Sequence, residues 1–318
     1  ILLQPNDDGY KMTILGIVPP LVTPLADRDT LDYAGLERLI ESQVEANVNG
    51  VFILGTTGEG PSLSDHLRRA LISETNRLLA GRLPIYVGVT DTSLVDAVSL
   101  ATFAMENGAE AVVAAPPFYF PAGQTELRHW FTELADALPI PLLLYNMPSC
   151  VKIVIEDATL SALIDHDNIV GLKDSSGDLE YFAEAIKLAS KRENWPVLIG
   201  PEALLIDAMR LGGVGGVTGG ANLCPKLFTQ LFAAIVANNE AETSRLQKIV
   251  VELQQLYAFG KYGSSYLKGL KCSMGLAGIC SGRLAAPFDV FKEAERQRVA
   301  EWLDGFSGRE YLTQNISG

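Results

Sequence analysis

Short runs of apolar residues alternate along the chain with longer segments whose apolar residues recur every three or four positions. In Leu31–Ala46, for example, Leu36, Leu39 and Ile40 share one face of a helix. The short runs predict eight buried strands: Leu15–Val18, Gly50–Leu54, Ile85–Val89, Ala111–Ala114, Pro141–Tyr145, Ile169–Lys173, Val197–Ile199 and Val214–Val217. The longer segments predict a helix after each strand: Leu31–Ala46, Ser64–Leu79, Ser93–Asn107, Thr125–Leu138, Asp157–Ile164, Asp178–Ser190, Pro201–Leu211 and Pro225–Asn238.

Eight successive strand-then-helix units predict an α/β protein, a (β/α)8 TIM barrel, with a C-terminal helical extension. An open doubly wound sheet is the alternative, because almost wholly apolar strands suit either arrangement. Beyond residue 238 the pattern is only helical, over Ala241–Phe259, Ser264–Leu276 and Phe288–Leu303. The predicted division is an N-terminal extension at 1–13, the barrel at 14–238, a helical region packed on it at 239–306, and a tail at 307–318.

Charge and composition exclude several classes of protein. The 318 residues carry a formal net charge of −13 without a basic cluster, which argues against nucleic acid and anionic membranes as partners. The four cysteines have no CxxC spacing, so we expect no disulfide framework and a reducing, cytoplasmic location. The three histidines lack metal-binding spacing, and the glycine pattern does not match a dinucleotide site. We therefore predict no metal and no cofactor.

The loops at the carboxyl ends of the strands are where barrel enzymes place their chemistry. The second strand is followed by the glycine-rich loop Gly55–Gly60, in which Thr56 and Thr57 precede Gly58. Its backbone N–H groups and hydroxyls suit a small anion such as a carboxylate, and a plain turn is the alternative. Tyr145 ends the fifth strand, where a phenol can carry protons or simply pack in the core.

Lys173 ends the apolar sixth strand. Desolvation lowers the pKa of a lysine and frees the neutral amine, the nucleophile that forms Schiff bases with carbonyl compounds. The alternatives are a lysine that reaches solvent or one that pairs with Asp174. Each of these signals is weak when it stands alone.

Together, GTTGE after strand two, YNMP after strand five and GLKDSSGD after strand six resemble the dihydrodipicolinate synthase / N-acetylneuraminate lyase family of class I aldolases. The resemblance covers about residues 14–300. It implies that Lys173 forms a Schiff base with pyruvate or a related 2-keto acid, and that Tyr145 and Thr56 relay protons. It further implies that Thr57 holds the keto-acid carboxylate and that the backbone of Val217 contacts pyruvate. No metal or cofactor is needed, because the protonated imine itself accepts electrons.

The same resemblance implies a homotetramer built as a dimer of dimers. Tyr119, in Pro117–Pro121, matches a stretch from which an aromatic hydroxyl enters the neighbouring subunit's site. Glu202, after strand seven, matches a position where sialic-acid lyases hold sugar hydroxyls, and a glutamate that interacts with a helix dipole is the alternative.

One departure concerns the second substrate. In dihydrodipicolinate synthases an arginine two residues after the YNxP proline binds the aldehyde's carboxylate, but here that residue is Cys150. A thiol supplies no bidentate charged contact, and Arg128 and Lys152 are the only substitutes we identify. The sequence therefore favours an aldolase or lyase acting on an aldehyde or sugar acid. Dihydrodipicolinate synthase, a sugar-acid dehydratase and a non-catalytic keto-acid-binding protein are the alternatives.

Overall fold

The fold is built on eight short parallel strands, which the computed structural model places within the described residues 14–313. The predicted N-terminal extension and the last residues of the predicted tail lie outside this range. We number the barrel strands as follows: β1 Gly16–Ile17, β2 Val51–Ile53, β3 Ile85–Gly88, β4 Ala111–Ala114, β5 Leu142–Asn146, β6 Ile169–Asp174, β7 Val197–Ile199 and β8 Gly215–Gly216.

The strands follow one another around a closed barrel. Each pairs in parallel with the next in sequence from β2 to β8, and β8 pairs with β1. The remaining gap is closed just after β1, where Leu21 N donates to the carbonyl of Phe52 in β2 at 2.8 Å, and Phe52 N donates to Pro19 O at 2.9 Å. This closure confirms the predicted barrel over the open sheet. It brings the carboxyl ends of all eight strands to one rim.

Helices follow the strands around the barrel. They are α1 Tyr33–Glu45, α2 Asp65–Leu79, α3 Leu94–Glu106, α4 Gln124–Ala137, α5 Pro148–Val151, α6 Asp157–Ile164, α7 Leu179–Ala189, α8 Leu205–Arg210, α9 Pro225–Val236, α10 Glu240–Leu253, α11 Ser265–Leu276 and α12 Glu293–Gly305. The C-terminal helices α10, α11 and α12 pack on other helices and turns. Polar caps fix several starts, since Ser64 accepts from Leu67 N at the head of α2 and Asp178 accepts from Tyr181 N at that of α7. In α1 the predicted face is buried at Leu36, Leu39 and Ile40, and half-buried at Val44.

Three local features differ from the sequence expectation. A two-stranded antiparallel hairpin, Leu25–Asp27 with Thr30–Leu31, follows β1. The segment predicted as one helix over Pro201–Leu211 is a 3₁₀ turn, Glu202–Leu204, followed by the short α8. Within the predicted tail, Tyr311 is buried, and Thr313 N donates to the carbonyl of Leu223 at 2.9 Å. The hairpin pairs residues only three to six positions apart, whereas the contact of Thr313 joins segments that are distant in sequence, which local periodicity does not encode.

Candidate active site

Tyr145 and Lys173 lie side by side at the rim, because they are directly opposite in the register of the neighbouring strands β5 and β6. Residues that are directly opposite in neighbouring strands project from the same face of the sheet, so these two side chains share the inner face of the barrel. Lys173 is only 5% exposed. Its Nζ lies 4.1 Å from the centroid of the Tyr145 ring and 4.8 Å from that of Phe52. The amine therefore lies against two aromatic rings.

This burial lowers the pKa of Lys173 to about 7, with desolvation as the main cause. Among residues 14–313, no salt bridge involves Lys173. The neighbouring Asp174 faces the other way and accepts from Asn146 Nδ2 at 2.8 Å and from the Ser176 hydroxyl at 2.9 Å. Neither alternative interpretation of Lys173, a lysine in solvent or a partner of Asp174, fits this environment.

The phenol of Tyr145 is held in place by the loop after β2. Its hydroxyl lies 3.2 Å from Thr56 Oγ1, within hydrogen-bonding distance. Burial raises the pKa of Tyr145 to about 12, and the hydrogen bond with Thr56 opposes part of that rise. Tyr145 therefore stays protonated at neutral pH and can donate or pass on a proton next to the Lys173 amine.

The loop Gly55–Gly60 is shaped by two residues with positive φ, Leu54 at 59° and Glu59 at 55°. Positive φ is rare for bulky residues and marks a backbone held by its surroundings. Glu59 is fully buried and forms an ion pair of 2.6 Å with Lys271 of α11, while its other oxygen accepts from Ala285 N at 2.8 Å. The C-terminal helical region thus fixes the loop that carries Thr56 and Thr57.

A cavity of about 300 Å³ opens between these groups and the C-terminal region. Thr56, Thr57, Tyr145, Lys173, Glu202 and Val217 all line it, together with Gln254, Tyr257 and Tyr266. A second cavity of about 190 Å³ adjoins it across Thr56, Tyr145 and Met147, and reaches Thr90, Phe118 and Cys150. Tyr145 therefore borders both spaces.

The remaining predicted site residues are placed as follows. Glu202 lines the larger cavity, but one of its oxygens accepts from Gly220 N at 2.8 Å and the other from the Tyr257 hydroxyl at 2.7 Å. Burial raises its pKa. Gly58 lines neither cavity, and its carbonyl accepts from the Thr23 hydroxyl at 2.6 Å. Tyr119 is 86% exposed and lies in neither cavity of its own chain.

Sequence patterns did not indicate the contribution of the C-terminal region. Tyr257 and Tyr266 enter the cavity wall from segments far from every motif, and their rings pack edge to face with centroids 4.7 Å apart. The hydroxyl of Tyr266 lies 2.8 Å from Thr57 Oγ1. No local signal could have found these residues. Glu59, in contrast, stood within the glycine-rich motif and could have been singled out as the one charged residue of the Gly55–Gly60 loop.

Other kinds of site have no counterpart in the described part of the chain. Across residues 14–313, no three His, Cys, Asp or Glu side chains are grouped so as to hold a metal ion. The helices of that range include none that is both long and apolar enough to cross a membrane.

Comparison with known proteins agrees with this geometry. The sequence profile of the Dihydrodipicolinate synthetase family matches residues 13–305. The structure of dihydrodipicolinate synthase from Bacteroides thetaiotaomicron is 44% identical, with a TM-score of 0.88, and the match covers 92% of this chain and 98% of that one. The chloride-inhibited dihydrodipicolinate synthase from Acinetobacter baumannii, complexed with pyruvate, is 27% identical, with a TM-score of 0.85 over 92% and 100% of the two chains.

A relative of different specificity is similar over most of its length. The probable 2-dehydro-3-deoxy-D-pentonate aldolase of Escherichia coli strain K12 is 30% identical over 268 residues, which are 83% of this chain and 87% of that protein. The resemblance found in the motifs is thereby confirmed. The chain belongs to the dihydrodipicolinate synthetase family and is a lyase.

Proposed function

We propose that the protein is a class I aldolase in which Lys173 forms a Schiff base with pyruvate or a related 2-keto acid. The observation that carries this proposal is a buried lysine whose pKa is lowered to about 7 and whose amine lies against the ring of Tyr145. At neutral pH a large share of this amine is unprotonated and nucleophilic. Names of relatives support it, since one is a synthase complexed with pyruvate and another is an aldolase.

The proposed reaction proceeds through a covalent imine. The Lys173 nitrogen attacks the ketone carbon to give a carbinolamine. Tyr145 donates its proton to the carbinolamine oxygen, which leaves as water, and a protonated imine remains beside the phenolate. This phenolate, within 3.2 Å of Thr56 Oγ1, then takes a proton from the adjacent methyl carbon to leave an enamine and restore the phenol. The enamine carbon then attacks the aldehyde carbon of the second substrate, whose oxygen receives the proton. Water finally releases the product and restores the amine, and cleavage is the reverse sequence.

Thr57 and the backbone of the Gly55–Gly60 loop are the proposed site for the keto-acid carboxylate. Thr57 is buried at the base of the larger cavity, and Val217 lies in its wall. Fixing the carboxylate there orients the reactive carbon toward the adjoining cavity.

The second substrate is proposed to be an aldehyde or sugar acid rather than aspartate semialdehyde. Among residues 14–313, Lys173 is the only lysine or arginine that lines either cavity. Arg128 is exposed on α4, and Lys152 turns back to donate to Ser149 O at 2.5 Å. A dihydrodipicolinate synthase would therefore have to bind the aldehyde's carboxylate without a cation from these walls.

A coupled assay that compares aspartate semialdehyde with uncharged hydroxyaldehydes decides between a dihydrodipicolinate synthase and an aldolase of other specificity. The mass of the product identifies a dehydratase, because that reaction removes water without breaking a C–C bond.

Assembly and location complete the proposal. We expect a homotetramer, with Tyr119 contributing to a neighbouring site, because this aromatic side chain is almost fully exposed in the single chain. Cys150, Cys224, Cys272 and Cys280 are all free thiols, which is consistent with a reducing cytoplasm.

Borohydride trapping with pyruvate tests the central step. We expect reduction to fix one pyruvate-derived group on Lys173, located by peptide mapping, and Lys173→Ala to abolish both labelling and turnover. Lys152→Ala is the matched control, since it removes an exposed lysine close to the site and should label normally. A non-catalytic binding protein would bind the keto acid without a covalent adduct. Label on another lysine, or no label with pyruvate or longer 2-keto acids, would contradict the proposal.

A further inference from the structure

Helix α11 lies outside the barrel, yet it reaches the proposed keto-acid pocket through Tyr266. The hydroxyl of this tyrosine is 2.8 Å from Thr57 Oγ1, and the side chain lines the same cavity as Lys173. Tyr266 is separated from Thr57 by 209 positions in the sequence. Its position therefore depends on how α11 docks against the loop after β2.

Three contacts hold the Tyr266 hydroxyl at this point. Its ring packs edge to face on Tyr257, and Tyr257 in turn donates to buried Glu202 at 2.7 Å. Five residues further along α11, Lys271 pairs with Glu59 at the end of the Thr56–Thr57 loop. Gly219 lies directly against the hydroxyl, since a Cβ on that residue would overlap the Tyr266 oxygen. The surroundings leave this side chain little freedom to move.

The direction of the hydrogen bond follows from the two hydroxyls. A phenol is more acidic than an alcohol and is the better donor, and burial raises the pKa of Tyr266, so the proton stays on it. Tyr266 therefore donates to Thr57 Oγ1. The single hydrogen of the Thr57 hydroxyl is then free to point at a ligand oxygen in the cavity. Without Tyr266 the threonine hydroxyl could turn toward other acceptors.

We propose that Tyr266 is a positioning residue of the keto-acid site, which orients the Thr57 hydroxyl so that it donates to the keto-acid carboxylate. This inference rests on the proposed function, because it assigns the carboxylate to Thr57. It adds the C-terminal helical region to the machinery that recognises the first substrate.

The test measures how the yield of reduced adduct at Lys173 depends on pyruvate concentration. Tyr266→Phe keeps the ring and removes only the hydroxyl. We expect it to raise the half-saturating pyruvate concentration about three- to tenfold, the range for the loss of one neutral hydrogen bond, with the maximal yield unchanged. Tyr262→Phe is the matched control, because this tyrosine is 69% exposed just before α11 and should behave as wild type.

Two further variants separate positioning from packing. In a Thr57→Val background, Tyr266→Phe should have no additional effect on half-saturation, because the hydroxyl through which Tyr266 acts is already gone. Gly219→Ala keeps the phenol but displaces it, so half-saturation should rise as it does in Tyr266→Phe. Thermal midpoints are recorded for every variant.

The outcomes are distinguishable. If Tyr266→Phe labels like wild type, or lowers only the thermal midpoint, Tyr266 has a structural role and the inference is overturned. Additive effects of Tyr266→Phe and Thr57→Val would overturn the action through Thr57. If wild type itself gives no adduct with any 2-keto acid, the proposed function fails, and this inference fails with it.

Discussion

Burial changes the chemistry of two ordinary residue types at the barrel rim. Lys173, on the inner face of β6, loses water around its ammonium and has its pKa lowered to about 7. Tyr145, beside it, has its pKa raised to about 12 by the same desolvation. Compared with the same groups in water, the Lys173 ammonium therefore loses its proton more readily and the Tyr145 phenol less readily. At neutral pH this places a neutral amine next to a protonated phenol.

This difference predicts the pH dependence of imine formation. Only the neutral amine attacks a carbonyl, so the rate should rise about tenfold per pH unit below 7 and level off above it. Rapid-quench trapping with borohydride and pyruvate between pH 5 and 10 measures this rate. For a free lysine derivative assayed in parallel, the rate of imine formation should rise throughout this pH range. A protein rate that also climbs steadily to pH 10 would show that Lys173 keeps an ordinary pKa.

Tyr145→Phe isolates the phenol's role in proton transfer. Removing a positioned proton carrier typically costs about 100- to 10,000-fold in rate. We expect the turnover of keto acid and aldehyde to fall by this amount while Lys173 still binds pyruvate, because the ring that covers the amine is retained. Steady-state kinetics measures the loss of turnover, and adduct mapping measures the retained binding of pyruvate at Lys173. A variant with wild-type turnover would remove Tyr145 from the mechanism.

At the scale of elements, the site depends on a contact between a barrel loop and a helix outside the barrel. Glu59 after β2 and Lys271 on α11 are both fully buried, and they join across 2.6 Å. Two charges removed from water are tolerated only as a well-bonded pair, and Ala285 N satisfies the second carboxylate oxygen. This pair connects α11 to the backbone that carries both threonines.

Breaking one side of this pair should destabilise the fold. We expect Glu59→Gln to cost about 3–5 kcal/mol, because it leaves the ammonium of Lys271 buried without a carboxylate, and Glu59→Gln with Lys271→Met to recover much of that loss. The urea midpoint of unfolding reports the change. Asp65→Asn is the control, since it breaks the partly exposed pair with Arg69 on α2 and should cost under about 1 kcal/mol. Equal losses in the two single variants would refute a special role for the buried pair.

For the whole molecule, the barrel presents an exposed aromatic segment after β4. Tyr119 and Phe120 are more than four-fifths exposed, and Phe118 behind them lines the smaller cavity. Exposed neighbouring aromatic side chains are typical of surfaces that associate. This segment is therefore where we expect a second copy of the chain to meet the first close to the site.

Sedimentation of the intact protein tests this expectation. Wild type should sediment as a tetramer, and Tyr119→Ala should weaken association about 10- to 100-fold, as expected when a buried interface aromatic is truncated. Tyr262→Ala removes another exposed tyrosine, 69% accessible, and should leave the assembly unchanged. A wild-type monomer, or a Tyr119→Ala protein that associates normally, would exclude the proposed contact.

The sequence by itself determined the architecture and the two central side chains. Eight apolar strands in alternation with amphipathic helices lead to a parallel barrel, and in a barrel the residues near the carboxyl ends of β5 and β6 lie at one rim. The motifs that carry the family resemblance then single out Lys173 and Tyr145.

Only the tertiary structure decided what surrounds those residues. Tyr266 reaches Thr57, and Lys271 reaches Glu59, through packing between segments about 210 positions apart, for which the sequence has no periodic signal. The occupied oxygens of Glu202 and the isolation of Lys173 from Asp174 also became visible only in three dimensions. The surroundings of an atom in space determine its pKa, its hydrogen-bond partners and the shape of the cavity next to it. The fold sets these surroundings, because most of the contacting groups come from residues that are distant in the sequence.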